Sequence, residues 1–315
     1  MTCNPAADAV IPEGGCAPDK CSGCPSKGKC GTTSEPTEAT LAIARRLNNF
    51  KRIFLVLSGK GGVGKSTVAC QLAYYLADRC NVKVSLMDVD VCGPSVPTMT
   101  STAGEEIHES ADGWAPISVS DNLQCISIGF MLRNQDDAVI MRGPKKHGVI
   151  QQFLTEVDWD VSPDQENWLI IDTPPGTSDE HLSTINLLTT ACKFTDNKPD
   201  VQAIIVTTPQ EVALADVRKE VNFAKQIGLT IRGVIENMSG FVCPCCNKET
   251  QIFLPSTGGA QALCTQYGIE LLGRIPLDAQ LTQAAEKGIA WSCLDENDSS
   301  VGLDMFTQII AKIMQ

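Results

Sequence analysis

No stretch of the sequence approaches the roughly 20 uninterrupted apolar residues that a membrane-spanning helix needs, so a bilayer-spanning chain is not expected. Its first 15 residues have no basic start followed by a long apolar segment, as a secretory signal would. They also lack the arginine-rich, acid-poor character of a mitochondrial presequence, which leaves the cytosol as the expected compartment. Basic charge is the scarcer sign: 25 Lys and Arg stand against 37 Asp and Glu, a net charge of −12. Such a chain would release counterions from a phosphate backbone only against its own repulsion, so neither nucleic acid nor membrane is an expected partner. Internal repeats and low-complexity tracts are missing too. At 315 residues, with 43% apolar and 20% charged composition, the chain is an ordinary globular protein of one large or two small domains.

Cysteine is abundant, at 15 residues. In a cytosolic protein cysteines are ligands, catalytic groups or small core residues more often than disulfides. Five lie between Cys3 and Cys30 and three between Cys243 and Cys246. The remaining seven, Cys70, Cys80, Cys92, Cys125, Cys192, Cys264 and Cys293, are scattered and read as buried small hydrophobes.

Residues 1–35 are rich in Cys, Pro, Gly, Ser and Lys and carry almost no apolar periodicity, so they form a tail that stays disordered or folds around metal. Residues 36–315 form the second domain. A helical pattern begins near Thr37, and strand-like apolar runs follow at Ile53–Leu57, Val82–Met87, Leu123–Ile128, Trp168–Ile171, Val201–Val206, Gly233–Ile235 and Leu271–Ile275. Helical stretches, including Lys65–Arg79, Gly148–Val157 and Glu211–Ile227, alternate with them. Continuous apolar strands alternating with helices predict an α/β fold, a mainly parallel sheet with helices on both faces. The last segment, Val301–Gln315, spaces Leu303, Phe306, Ile310 and Ile313 as a helix, and with Lys312 as its lone cation it suits packing on the domain rather than a membrane surface.

Gly59, Lys60, Gly61, Gly62, Val63, Gly64, Lys65 and Ser66 match G-x-x-x-x-G-K-[ST] between an expected strand and an expected helix, the context a P-loop requires. Glycines let the backbone wrap phosphates, and successive N–H groups with the helix N-terminus supply positive potential. Lys65 is expected to neutralise the β/γ-phosphates, Ser66 to bind Mg²⁺, and Thr67 to meet the α-phosphate. Asp172, ending a strand ahead of Thr-Pro-Pro-Gly176, can reach Mg²⁺ through water, and the Gly176 N–H can meet the γ-phosphate, making this loop a switch. Asp88 and Asp90 lie just past another strand end. Asn237 follows a further strand, and its amide can pair with the N6 and N7 edge of adenine. Lys60, a second lysine after the first glycine, resembles the deviant P-loop of MinD-like and nitrogenase-iron-protein-like ATPases. That resemblance implies ATP shared between two subunits, with Lys60 reaching across. It also implies that Asp90 positions the attacking water, while Asp88 supports Mg²⁺ or the lysines.

Cys243 and Cys246 form a C-x-x-C with Cys245 inside it. Two such thiolates half-ligate a metal or cluster, and a two-fold partner completes four ligands. Zinc and a redox disulfide remain open on spacing alone. From about Phe50 onward the chain resembles the Mrp/nucleotide-binding-protein family of iron–sulfur carrier ATPases. The matching residues are the deviant P-loop, Asp88-Val-Asp-Val-Cys-Gly-Pro-Ser95, Arg142-Gly-Pro-Lys145, Asp172–Gly176, Asn237-Met-Ser-Gly-Phe, Cys243-x-x-Cys246, Gly258-Gly-Ala and Leu272–Asp278. The resemblance implies an ATP-dependent scaffold, a homodimer or a complex with a related ATPase, that assembles 4Fe–4S clusters and passes them to cytosolic and nuclear client apoproteins with the help of targeting proteins. One 4Fe–4S cluster would bridge the dimer through Cys243 and Cys246.

The tail resembles that of the family's cytosolic assembly factor, which implies a second 4Fe–4S cluster on Cys21, Cys24 and Cys30. Here the family's usual spacer would put the first ligand at Ala7, so Cys16 or Cys3 must serve, Cys16 closing the shorter loop. The C-x4-C-x2-C spacing also resembles 2Fe–2S ferredoxins, and a zinc knuckle is a further reading. Two other functions compete: nitrogenase-reductase-like electron transfer, where bridging cysteines sit on separate loops, and a MinD- or ParA-type positioning ATPase, which leaves the clustered cysteines unexplained.

Overall fold

The computed structural model describes residues 36–91, 93–131, 143–176, 179–243, 245–246, 248–294 and 300–315. Helix α1 (Glu38–Leu47) opens with Glu38 and closes with Arg45 and Arg46, charges that suit its dipole, and leads into β1 (Arg52–Leu57). Next come α2 (Lys65–Arg79), β2 (Lys83–Asp88), the short α3 (Val96–Met99), a strand pair β3 (His108–Ser110) and β4 (Gly113–Ala115), then β5 (Ile117–Ser120) and β6 (Leu123–Ser127). Helices and strands then alternate: α4 (Gly143–Glu156), β7 (Asn167–Asp172), α5 (Asp179–Cys192), β8 (Asp200–Thr207), α6 (Glu211–Gln226) and β9 (Thr230–Val242). The last described elements are β10 (Glu249–Thr250), α7 (Gly259–Tyr267), β11 (Leu271–Leu277), α8 (Ala279–Lys287) and α9 (Val301–Met314).

The main sheet runs in the order β10-β9-β8-β1-β7-β2-β6-β5, with β11 also on β9. Pairings from β9 through β6, and that of β11 on β9, are parallel, while β5 and β10 pair antiparallel with β6 and the end of β9. β1, β2 and β7 are buried along all but their first residue, because both sheet faces are covered. Phe54 and Val56 of β1 face a layer that includes α2, α8 and α9. Ile53, Leu55 and Leu57, one residue out of phase, face α1, α4, α5, α6 and α7. In α9, Phe306, Ile309, Ile310 and Ile313 are buried, so the terminal helix packs on the domain.

From β1 the chain crosses through α2 to β2, on one side of the sheet, and later returns to β8 on the other side of β1. Such a reversal opens a crevice at the carboxyl ends of the strands, where α/β sheets place their ligands. The P-loop, Asp88 and Asp172 all sit at that edge. No helix among the described residues is long and apolar enough to cross a membrane.

Candidate nucleotide site and cysteine turn

β1 delivers Ser58 and the P-loop to the carboxyl edge of the sheet, and α2 starts at Lys65 immediately after it. Two glycines there are required sterically. A Cβ on Gly59 would lie 2.7 Å from the Asp216 carbonyl carbon, because α6 packs directly on the loop. Gly64 has φ 84°, and a Cβ on it would come within 2.3 Å of Asn237 Nδ2. No side chain caps α2 at Gly64, so the first N–H groups of the helix face the crevice with their positive potential, as a phosphate needs. Lys60, Gly61 and Gly62 are exposed, Val63 is buried, and Ser66 and Thr67 are half-buried.

Lys65 is buried and forms an ion pair with the buried Asp172, and its Nζ lies 3.1 Å from Ser66 Oγ. Asp172 and Asp88 are register partners on β7 and β2, so parallel pairing sets two carboxyl groups side by side. Asp88 accepts hydrogen bonds from the Asp90 N–H at 3.0 Å and from Ser127 Oγ at 2.9 Å. Burial first, then the neighbouring Asp172, pushes the Asp88 carboxyl up to about 8, against the pull of Lys65. Burial raises Asp172 too, opposed by Lys65. Two buried acids thus share the Lys65 ammonium, which leaves the pocket with affinity for a further proton or cation. Asp172 Oδ2 is buried with no hydrogen-bond partner, an orphaned acceptor beside Ser66 that fits an Mg²⁺ hydration shell. Asp90 is half-buried, and its carboxylate accepts the Gly93 N–H at 3.3 Å.

Two expected nucleotide contacts have other partners in this structure. The Gly176 N–H donates to the Ser58 carbonyl at 2.7 Å, so reaching a phosphate requires that bond to open. Asn237 is buried, and its Nδ2 donates to the Val63 carbonyl at 2.9 Å, tying β9 to the P-loop.

β9 continues from Asn237 to Val242 and pairs there with β10, Val242 opposite Glu249. The Cys243 N–H donates to the Lys248 carbonyl at 3.1 Å, closing the turn. Cys243 is half-exposed, and Cys245 and Cys246 are exposed. The backbone N–H groups of Cys245 and Cys246 point at the Cys243 sulfur and hold its thiol below the usual range, favouring the thiolate that a metal takes. All three are free thiols, and among the described residues no three His, Cys, Asp or Glu side chains converge as a closed metal site. The turn offers an open pair of thiols, and Phe241 before it and Ile252 and Leu254 after β10 are exposed as well. Cys3, Cys16, Cys21, Cys24 and Cys30 of the tail, Cys92 and Arg142 lie outside the described residues.

Of the scattered cysteines, Cys70, Cys125 and Cys264 are buried and Cys80 and Cys192 are half-buried, as small core residues should be. Cys293 departs from that expectation and is exposed, because it ends a short 3-10 turn at the surface. Sequence reasoning missed Glu220, which is 2% exposed on the inner face of α6 with neither carboxyl oxygen hydrogen-bonded. Burial, with Asp216 adding, raises it to about 8. The signal was available: Glu220 lies three residues after Val217, on the apolar stripe of the helix.

A family model described as ParA, NUBPL iron-transfer P-loop NTPase, matches residues 49–314. The nucleotide-binding protein of Archaeoglobus fulgidus, solved with ADP and cobalt, is 31% identical over 85% of this chain and 99% of its own, with a TM-score of 0.66. The cell-division ATPase MinD of Pyrococcus furiosus is 21% identical over 84% of this chain and 99% of its own, with a TM-score of 0.55. A plasmid partition protein of Borrelia burgdorferi bound to AMPPNP is 20% identical over 84% of this chain and 98% of its own, at 0.53. The last two share the fold. With its P-loop, paired strand-end acids and a match over nearly the whole folded region, the chain belongs to the ParA-type family of iron-transfer P-loop NTPases.

Proposed function

We propose that this ATPase is a cytosolic scaffold that assembles 4Fe–4S clusters and transfers them to client apoproteins, with ATP turnover setting when the cluster leaves. The observation that carries the reading is the solvent-accessible Cys243–Cys246 thiol pair on the turn that follows β9, the strand tied to the P-loop. A pair half-ligates a cluster, so a second chain, identical or related, supplies the other two thiolates. The exposed Lys60 would then reach the partner's nucleotide. A second cluster is assigned to Cys21, Cys24, Cys30 and Cys16 in a tail domain of residues 1–35, ahead of the ATPase domain of residues 36–315.

Within the nucleotide site the roles follow from charge and position. Residues 59–67 wrap the phosphates with N–H groups, and Lys65 leaves Asp172 for the β/γ-phosphates. Ser66 and Asp172, supported by Asp88, would hold Mg²⁺, whose charge offsets that developing on the transferred phosphoryl group. Asp90, two residues past the end of β2 and half in solvent, orients the attacking water. Opening of the bond between Gly176 and Ser58 frees an N–H for the γ-phosphate, so the segment after Asp172 responds to its presence.

Asp90→Asn tests the coupling. Steady-state phosphate release is expected to fall about 10²-fold, within the range for loss of a group acting on a proton in flight. Cluster release from the loaded protein to an apo-acceptor in Mg·ATP should slow with it. Release at the wild-type rate from a variant that no longer hydrolyses ATP would separate transfer from turnover and remove the proposed mechanism. Reversible reduction with the cluster retained through many turnovers would favour electron transfer instead.

A further inference from the structure

We infer that Asn237 is a positioning residue that reports the state of the P-loop to the cysteine turn along β9, with Met238 as the hinge. The use of that coupling in cluster handling rests on the proposed scaffold function; the coupling itself does not. Three observations carry it. First, Asn237 is buried, and its amide is bonded to the Val63 carbonyl at 2.9 Å, inside the phosphate-wrapping loop. The loop therefore cannot rearrange around phosphates without moving, or losing, its bond to β9.

Second, the strand changes character at the next residue. Met238 has φ 54°, in the left-handed region that a side chain other than glycine rarely adopts. Its methyl group lies beside the loop, 3.9 Å from where a Cβ on Gly64 would stand. Ile275 is level with Asn237 and Leu277 with Phe241, so β11 passes residues 238–240 of β9 with the single residue Pro276. Proline has no N–H to give to a ladder, which leaves the bulge free of that bond. A bulge of this kind is where a strand bends, and here it lies between two firmly paired stretches.

Third, the bulge leads directly into the cysteine turn. A Cβ on Gly240 would lie 3.2 Å from the Thr250 carbonyl oxygen, so β10 lies tightly against the bulge. Phe241 and Val242 pair with Thr250 and Glu249, and the Cys243 N–H closes on Lys248. Five residues lie between Asn237 and Cys243, at most about 20 Å of extended chain. A small rotation at Met238 re-aims that short lever without disturbing the sheet that holds the rest of β9.

Amide hydrogen exchange followed by mass spectrometry tests this on the full chain as isolated. Peptides covering residues 239–250 are compared without nucleotide and with Mg·ADP, each variant at a concentration saturating for its own affinity, and α1 serves as a remote reference. In the wild type, Mg·ADP should change the exchange rate of the turn at least threefold and leave α1 unchanged. Asn237→Leu, similar in shape but unable to donate, should show the turn's response at saturating Mg·ADP reduced to less than half, whatever affinity it loses. Met238→Gly loosens the hinge without touching the bond to Val63 and should blunt the response likewise, and it decides the matter should Asn237→Leu lose nucleotide binding. An unresponsive turn in the wild type, or a full wild-type response in whichever variants bind nucleotide, overturns the inference. Failure of the cysteines to load iron would undo the scaffold reading and leave this result standing.

Discussion

Replacing Lys65 by alanine should lower ATP turnover by at least about 10²-fold, the loss typical of removing one preorganised charge from a reaction centre. Lys65 sits at the first turn of α2, buried, between the loop that wraps the phosphates and the acid that ends β7. Its proposed role is to neutralise charge on the transferred phosphoryl group. The same change also removes the ammonium that compensates two buried acids. Asp88 and Asp172 would then be pushed further up, toward their neutral forms. The variant should accordingly show weaker Mg·ATP binding by calorimetric titration. Turnover within tenfold of wild type would mean that the phosphates are held elsewhere. Normal cluster loading of Lys65→Ala in cells would count against the coupling of nucleotide to cluster.

The second large effect concerns stability. Glu220→Gln should stabilise the fold at pH 7 by about 3 kcal/mol before any cost of placing the amide. Glu220 is raised from 4.5 to about 8 by burial. Below pH 4.5 the carboxyl is protonated in both folded and unfolded chains and the site costs nothing through ionisation. Above that the unfolded chain gains the charge while the folded chain holds its proton, so stability falls as pH rises until Glu220 ionises in the fold near 8. Glutamine does not titrate, so the wild-type and variant stabilities should converge near pH 4.5 and separate steadily up to pH 8. The amide has hydrogens to satisfy in a site where the carboxyl oxygens have no partners, which offsets roughly 1–3 kcal/mol. Urea midpoints measured in parallel from pH 5 to 8 read the difference directly. A pH-independent difference would place a charged, partnered Glu220 in the folded state.

The local rules of the sequence reached the nucleotide site well, because its parts are contiguous. The glycine pattern between an apolar strand and a helix placed α2 at Lys65–Arg79, and apolar runs ending in acids placed Asp88 and Asp172 at strand ends. What escaped was decided by distant neighbours. β9 extends to Val242, whereas only Gly233–Ile235 reads as an apolar run, because Glu236, Asn237 and Ser239 interrupt the pattern. Those polar residues belong to the strand because their partners lie far away in sequence: Val63 for Asn237, and Arg274 and the Ala260 N–H for Glu236. The antiparallel β5 alternates only weakly and is fixed by pairing with β6. The side-by-side placement of Asp88 and Asp172 is likewise a product of sheet register, invisible in either segment alone.

The central claim, that Cys243 and Cys246 carry a cluster shared between chains, is tested most directly by anaerobic reconstitution with iron and sulfide. Iron per chain and EPR of the reduced protein are compared between wild type and the double variant Cys243→Ser/Cys246→Ser. A bridging 4Fe–4S cluster predicts about two irons per chain lost with the double variant, and about four retained if the tail holds its own cluster. Zinc without a sulfide-dependent chromophore, in purified and reconstituted protein alike, would contradict the account and make the cysteine turn a structural element of an ATPase with another task.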